Sequence, residues 1–149
     1  MLAACRVLVA VSAQSIAAVE DVADLTQVRA LVIVASQGSV SLAQLASGAN
    51  LHVTRASRMV DRLVKDGLIN RADDPTNRRQ VALTLTSAGE RVVRRVMQRR
   101  REAIEPILAA LTRQMSKPRR AELVTLLREF AVAGGDPSES DLWAMGWTT

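Results

Sequence analysis

Apolar positions along this chain recur mostly at helical spacing and switch to strand spacing once, in the middle. Within 51–67, Ala56, Met59, Val60, Leu63 and Val64 fall on one face of a helix. The opposite face carries Thr54, Arg55, Arg58, Arg62 and Lys65, donor-rich side chains suited to an anion or to water. Gly67 supplies the left-handed residue that ends a helix, an extended run starts at 68–70, and Val81, Leu83 and Leu85 alternate with Ala82 and Thr84. Between these strands Asp73, Asp74, Pro75, Thr76 and Asn77 are turn residues, and Arg78 and Arg79 follow at the tip.

Helical patterns flank this unit on both sides. Residues 2–20 hold Leu8, Val9, Val11, Ile16 and Val19 among alanines, too apolar a helix to stand alone in water. A second helix follows Thr26 as N-cap, with Val28, Leu31, Val32 and Val34, and stops at Gly38. After a short extended piece at 39–40, Ser41 and Gln44 form a capping box for a short helix over 42–47. With the turn at 48–50, residues 41–67 read as helix, turn, helix, Leu42 and Leu45 packing against Ala56 and Val60. A long helix from Thr86 or Ser87 to about residue 113 has Val93, Val96, Met97, Ile104, Ile107, Leu108 and Leu111 inside. Its outer stripe is Arg91, Arg94, Arg95, Gln98, Arg99 and Arg101, and Pro106 should kink it near Glu102. A last helix runs from Pro118 to about 133 with a stripe of Leu123, Leu126, Leu127 and Phe130, and the tail beyond it keeps Trp143 and Trp147, so it should dock somewhere. The fold class is mainly α with a small β-hairpin wing: a winged helix-turn-helix lobe plus a helical region.

Composition sharpens this picture. At 149 residues, 48% hydrophobic and 23% charged, the chain is globular, with core enough for one lobe plus helices that need a partner chain. Aromatics are 2% with no tyrosine, so aliphatic side chains must pack the core. The net charge of +5 is unevenly placed: residues 51–101 hold 13 Lys and Arg against 5 Asp and Glu, and the remainder 7 against 10. One third of the chain is therefore strongly cationic, and with the winged pattern beneath it double-stranded DNA is the expected partner.

The chemistry of enzymes is missing. Cys5 and His52 are the only residues of their kinds, so no disulfide, metal cluster, cofactor site or nucleophile–base set can be assembled from them. Cys5 superficially suggests a lipoprotein box, but it comes too early for an apolar region to precede it, and no apolar run approaches the roughly 18 residues of a spanning helix. The reading is a cytoplasmic, non-enzymatic protein.

Several stretches together resemble the multiple-antibiotic-resistance regulator (MarR) family of bacterial transcription factors. They are 25–31, 42–46, 54–69 from Thr54-Arg55-Ala56 to Leu68-Ile69, the tip Asp74-Pro75-Thr76-Asn77-Arg78-Arg79, and 83–89. This resemblance implies a homodimer held by the first and last helices, with 1–24 and 91–133 as dimerisation helices, 25–90 as the DNA-binding lobe and 134–149 as a tail without counterpart. It implies Thr54, Arg55, Ser57 and Arg58 at the groove, Arg78 at the wing tip, and Asp61 paired with Arg79 to brace the wing. His52 stands where the family favours a Ser or Thr N-cap, leaving the helix capped less well or His52 itself in contact with DNA. The N-terminal helix is also shorter than usual.

The resemblance further implies a small-molecule pocket, common in the family; with no tyrosine and one phenylalanine in the chain its wall must be aliphatic, supplied by Val28, Leu31, Val96, Met97 and similar residues. Arg100, whose phase puts it on the apolar side of the long helix, is the candidate anchor for a lipophilic or anionic effector, against the plainer reading of a snorkelling side chain. Cys5 reads as buried helix filler rather than a redox switch, since Arg6 points to a different side of the helix. Two functions stay open: a sequence-specific repressor released by an effector, and a winged-helix protein using its tail and arginine stripe to bind another protein or coat DNA without sequence preference.

Overall fold

A computed structural model of the chain describes residues 2–19, 24–73 and 81–134. The elements are α1 (Leu2–Ala17), α2 (Leu25–Gln37), β1 (Val40–Ser41), α3 (Leu42–Gly48), α4 (Val53–Lys65), β2 (Ile69–Asp73), β3 (Val81–Leu85), α5 (Ser87–Thr112) and α6 (Lys117–Ala133). The chain divides into two compact units, 1–100 and 101–149.

The first unit contains the core. Helix α2 starts two residues earlier than its sequence suggests: Asp24, not Thr26, is the N-cap, because its carboxylate accepts the Gln27 amide at 2.9 Å, three residues on. Gly38, at φ 71°, ends that helix in the left-handed region. Ser41 caps α3 through the reciprocal pair anticipated, its hydroxyl accepting from the Gln44 amide at 3.2 Å and its own amide donating to Gln44 Oε1 at 2.8 Å. Leu31, Leu45, Ala56 and Leu63 are fully buried, and Val28, Val34, Val40, Val60, Leu83, Val92, Val93 and Val96 close the core around them. Each such Leu or Val contributes roughly 1.5–3 kcal/mol relative to an exposed one.

The sheet has three antiparallel strands in the order β1-β3-β2. The extended piece around residue 40 is thus a sheet strand: Val40 lies opposite Leu83, and β2 pairs with β3 from Ile69 opposite Leu85 to Asp73 opposite Val81. Thr86 joins the sheet to α5. Its hydroxyl donates to the Gly67 carbonyl at 2.7 Å and accepts the Gly89 amide at 3.0 Å, so one side chain both caps α5 and pins its start to the end of α4. Helix α1 meets α2 and buries Val11, Ser15 and Ile16, while Leu2, Val7, Leu8 and Val9 remain exposed; Cys5 is exposed with them, so it is not the buried filler the sequence suggested, because its turn of α1 lies beyond the part that the lobe covers.

In the second unit no residue of α6 is buried, and Leu126, Leu127 and Phe130 are 56%, 50% and 68% exposed. The C-terminal part of α5, which runs through Pro106 as one helical element, likewise exposes Ile107, Leu108 and Leu111. The inner face read from sequence is therefore inner only near Val93 and Val96. Val92, which that reading omitted, is 1% exposed. The tail with Trp143 and Trp147 lies outside the described residues.

Candidate nucleic-acid interface

Helix α4 is held from behind by Ala56, Val60 and Leu63, all at most 2% exposed, against α3 and β2. Three buried positions at i, i+4 and i+7 fix the helix about its own axis. What faces outward is then determined: Thr54, Arg55, Arg58, Arg62 and Lys65 are all exposed, and Ser57 is half-buried beside them. Met59 is half-buried, as its phase requires. Val64 departs from the sequence reading: it lies at the edge of the apolar stripe, in the last turn, and is 36% exposed.

His52 is the N-cap of α4. Its ring Nδ1 accepts the Thr54 amide at 3.3 Å, which ties the imidazole to the helix start and leaves the residue exposed at the first turn. Asn50, at φ 55°, makes the left-handed turn that brings α4 round from α3. The turn is closed by the Leu51 amide donating to the Ala46 carbonyl at 2.8 Å.

At the other edge of α4, Asp61 Oδ1 accepts from Arg71 on β2 at 3.1 Å. The carboxylate thus has a strand partner, in the middle of β2. Arg71 was missed in the sequence, although the strand period carries the signal: two residues after buried Ile69 and opposite Leu83, it belongs to the sheet face that α4 covers. Arg78 and Arg79 lie outside the described residues.

Two cavities flank α4. One of about 220 Å³ is lined by Ser41, Leu42, Ser57, Val60, Arg71 and Leu83, among others. The other, of about 330 Å³, lies between the start of α2 and the basic face, with Asp24, Gln27, Leu51, Arg55, Arg58 and Arg62 in its wall. Neither includes the pocket residues read from sequence. Val28, Leu31 and Val96 are 2%, 0% and 0% exposed and serve as core, while Met97 and Arg100 are half-buried on α5.

A short helix, a turn, a second helix with a free polar face, and an antiparallel hairpin beside it make up a winged helix-turn-helix lobe. The MarR family model matches residues 24–81, the stretch from the α2 cap to the first residue of β3. The solved structure of RV1404 from Mycobacterium tuberculosis is 42% identical, covers 92% of this chain and 90% of its own, and superposes with a TM-score of 0.79. A MarR family protein from Bacillus stearothermophilus, 20% identical, shares the fold with a TM-score of 0.70 over 87% of this chain and 86% of its own. YsmB of Bacillus subtilis (strain 168), an uncharacterized HTH-type transcriptional regulator, is 28% identical over 75 residues, 50% of this chain; the match spans about half, 51%, of that protein. The chain belongs to the MarR family, a family of transcriptional regulators. Among the described residues no helix is long and apolar enough to cross a membrane.

Proposed function

We propose that this protein is a sequence-specific, dimeric DNA-binding repressor. The observation that carries the reading is the exposed face of α4, where Thr54, Arg55, Arg58, Arg62 and Lys65 project from a helix locked in place by Ala56, Val60 and Leu63. A helix presented in this way fits the major groove, with Arg55 and Arg58 on its early turns in reach of guanine edges and Arg62 and Lys65 toward phosphates. The apolar surface left open on α1 and α6 supports a two-fold homodimer, and such a dimer matches a pseudo-palindromic operator with half-sites about 10 bp apart.

Genome-wide mapping of bound sites, followed by titration of a recovered site against scrambled duplex, tests this reading. A specificity ratio of about a thousandfold or more at physiological salt is the expected result. A ratio near one would favour instead a protein that coats DNA through its basic surfaces.

Release of the operator by a small lipophilic anion belongs to the same proposal. The cavity beside Arg71 supports it, because its wall combines Leu42, Val60 and Leu83 with a guanidinium that would exchange its exposed Asp61 partner for the anion. The Arg100 set could serve only if the core around Val28, Leu31 and Val96 opened. A hundredfold release needs roughly 2.7 kcal/mol of differential affinity between the two arrangements, whichever site supplies it. Salicylate-like anions and matched neutral aromatics, titrated against the operator complexes of wild type, Arg71→Gln and Arg100→Met, separate the two sites.

A further inference from the structure

Helix α4 ends in a left-handed closure: Gly67, at φ 71°, donates its amide to the Val64 carbonyl at 3.0 Å, and the Leu68 amide donates to the Leu63 carbonyl at 2.9 Å. The two closing residues present their own carbonyls to Thr86, which donates to both, through its hydroxyl to Gly67 at 2.7 Å and through its amide to Leu68 at 3.1 Å. The same hydroxyl accepts the Gly89 amide at 3.0 Å, and a Cβ on Gly89 would strike the Leu68 carbonyl. The end of α4 and the first turn of α5 thus form one hydrogen-bonded joint without slack. Capping α5 requires only the bond from Gly89. A hydroxyl has one proton to give, and Thr86 spends it on α4.

We propose that Thr86 is a positioning residue that fixes the angle between α4 and α5 and thereby makes the dimer selective for one spacing of half-sites. The inference rests on the reading of the protein as a dimer with α4 in the major groove. Helix α5 is the covalent path from the lobe to α6, so in that dimer the direction of each α4 follows its α5 only as far as the joint is stiff. One base pair added between half-sites moves them apart by about 3.4 Å and turns them by about 35°, a change that a stiff joint cannot follow.

The test uses the full chain and the tightest paired-site duplex it selects from a random library, together with that duplex lengthened or shortened by one base pair between the half-sites. Wild type is expected to lose about tenfold or more on either change, since a misplaced half-site forfeits contacts at more than one base pair. Three variants separate the bonds. Thr86→Val removes both hydroxyl bonds, Thr86→Asp keeps an acceptor for Gly89 but cannot donate to Gly67, and Thr86→Ser keeps both. The loss on respacing is expected to fall toward one in Thr86→Val and Thr86→Asp and to stay at about tenfold in Thr86→Ser. Each ratio is taken within one protein, so a general loss of affinity from the aspartate charge cancels. Aspartate is a good N-cap, so Thr86→Asp should fold even where Thr86→Val does not, which thermal unfolding checks. If either of these variants folds and keeps the wild-type ratio, if Thr86→Ser loses it, or if wild type itself tolerates the new spacing, the tie to Gly67 sets no spacing while the reading of the dimer stands. If selection yields no paired half-sites, both fall.

Discussion

Asp61 on α4 and Arg71 on β2 meet at 3.1 Å, so the helix with the exposed basic face and the first strand of the hairpin are tied side chain to side chain. The pair is open to water, with side chains 59% and 45% exposed respectively, and an exposed pair of this kind adds about 0.2–1 kcal/mol to stability. The role expected of it is to set direction. Asp61→Asn is expected to shift the urea unfolding free energy by less than about 1 kcal/mol and yet to weaken operator binding. That sign is informative, because removing a negative charge from a DNA-facing surface would by itself strengthen binding. Affinity unchanged or raised in a titration at fixed salt would leave the pair without a positioning role.

Gly89 is required by a close approach. It is the third residue of α5, and a Cβ there would strike the carbonyl oxygen of Leu68 and lie 3.3 Å from Leu85 Cδ2. Alanine would normally gain about 1 kcal/mol inside a helix. Here the obstacle is backbone, which cannot rotate away, so Gly89→Ala is expected to lose about 1–3 kcal/mol net in urea unfolding.

Arg58 and Arg62 differ in expected role although both are exposed on α4. Arg58→Ala should cost about 1–3 kcal/mol on the preferred sequence and flatten selectivity at one base pair. Arg62→Ala should weaken all sequences alike and reduce the salt slope by about one. Binding measured across a panel of single-base variants at several salt concentrations distinguishes the two patterns. A uniform loss for Arg58→Ala would make it a phosphate contact.

The lobe was legible in the sequence because its residues answer to local rules. The capping box at Ser41 and Gln44, the stop at Gly38, and the stripe of Ala56, Val60 and Leu63 each follow from spacing within one turn or two. What escaped was either ambiguous within one turn or dependent on tertiary partners. Asp24 displaced Thr26 as a cap because either residue satisfies the local pattern. The wall proposed from Val28, Leu31 and Val96 became core, since apolar periodicity marks a buried face without saying whether protein or a ligand covers it. Arg71 went unnoticed because its role depends on a helix ten residues upstream.

Phe130 is 68% exposed on α6, beside Leu126 and Leu127 on the same stripe. If a second copy covers this stripe, burying a glutamate there without a partner should be prohibitive. The variant carrying Leu127→Glu and Phe130→Glu is expected to sediment as a monomer at micromolar concentration, where wild type sediments as a dimer. It should also lose operator affinity, since one lobe alone reads only half a site. A dimer in both proteins would place the interface elsewhere.

His52 separates stability from DNA affinity. Its ring nitrogen accepts the Thr54 amide in a long N–H···N contact of 3.3 Å, so the cap is a weak one. A serine hydroxyl or an aspartate carboxylate at the same place is a better acceptor, and His52→Ser and His52→Asp are each expected to raise stability by about 0.5–1 kcal/mol. The aspartate should be the more stable of the two, because its charge also meets the positive end of the helix dipole. At the groove the order reverses. A carboxylate at the start of α4 would sit among phosphates, so His52→Asp should bind DNA more weakly than wild type at low salt, and the deficit relative to wild type should narrow as salt screens the repulsion. His52→Ser introduces no charge and should bind as wild type does. If the serine variant instead loses as much affinity as the aspartate variant, with stability raised in both, the imidazole itself touches DNA and the weak cap is retained for that contact.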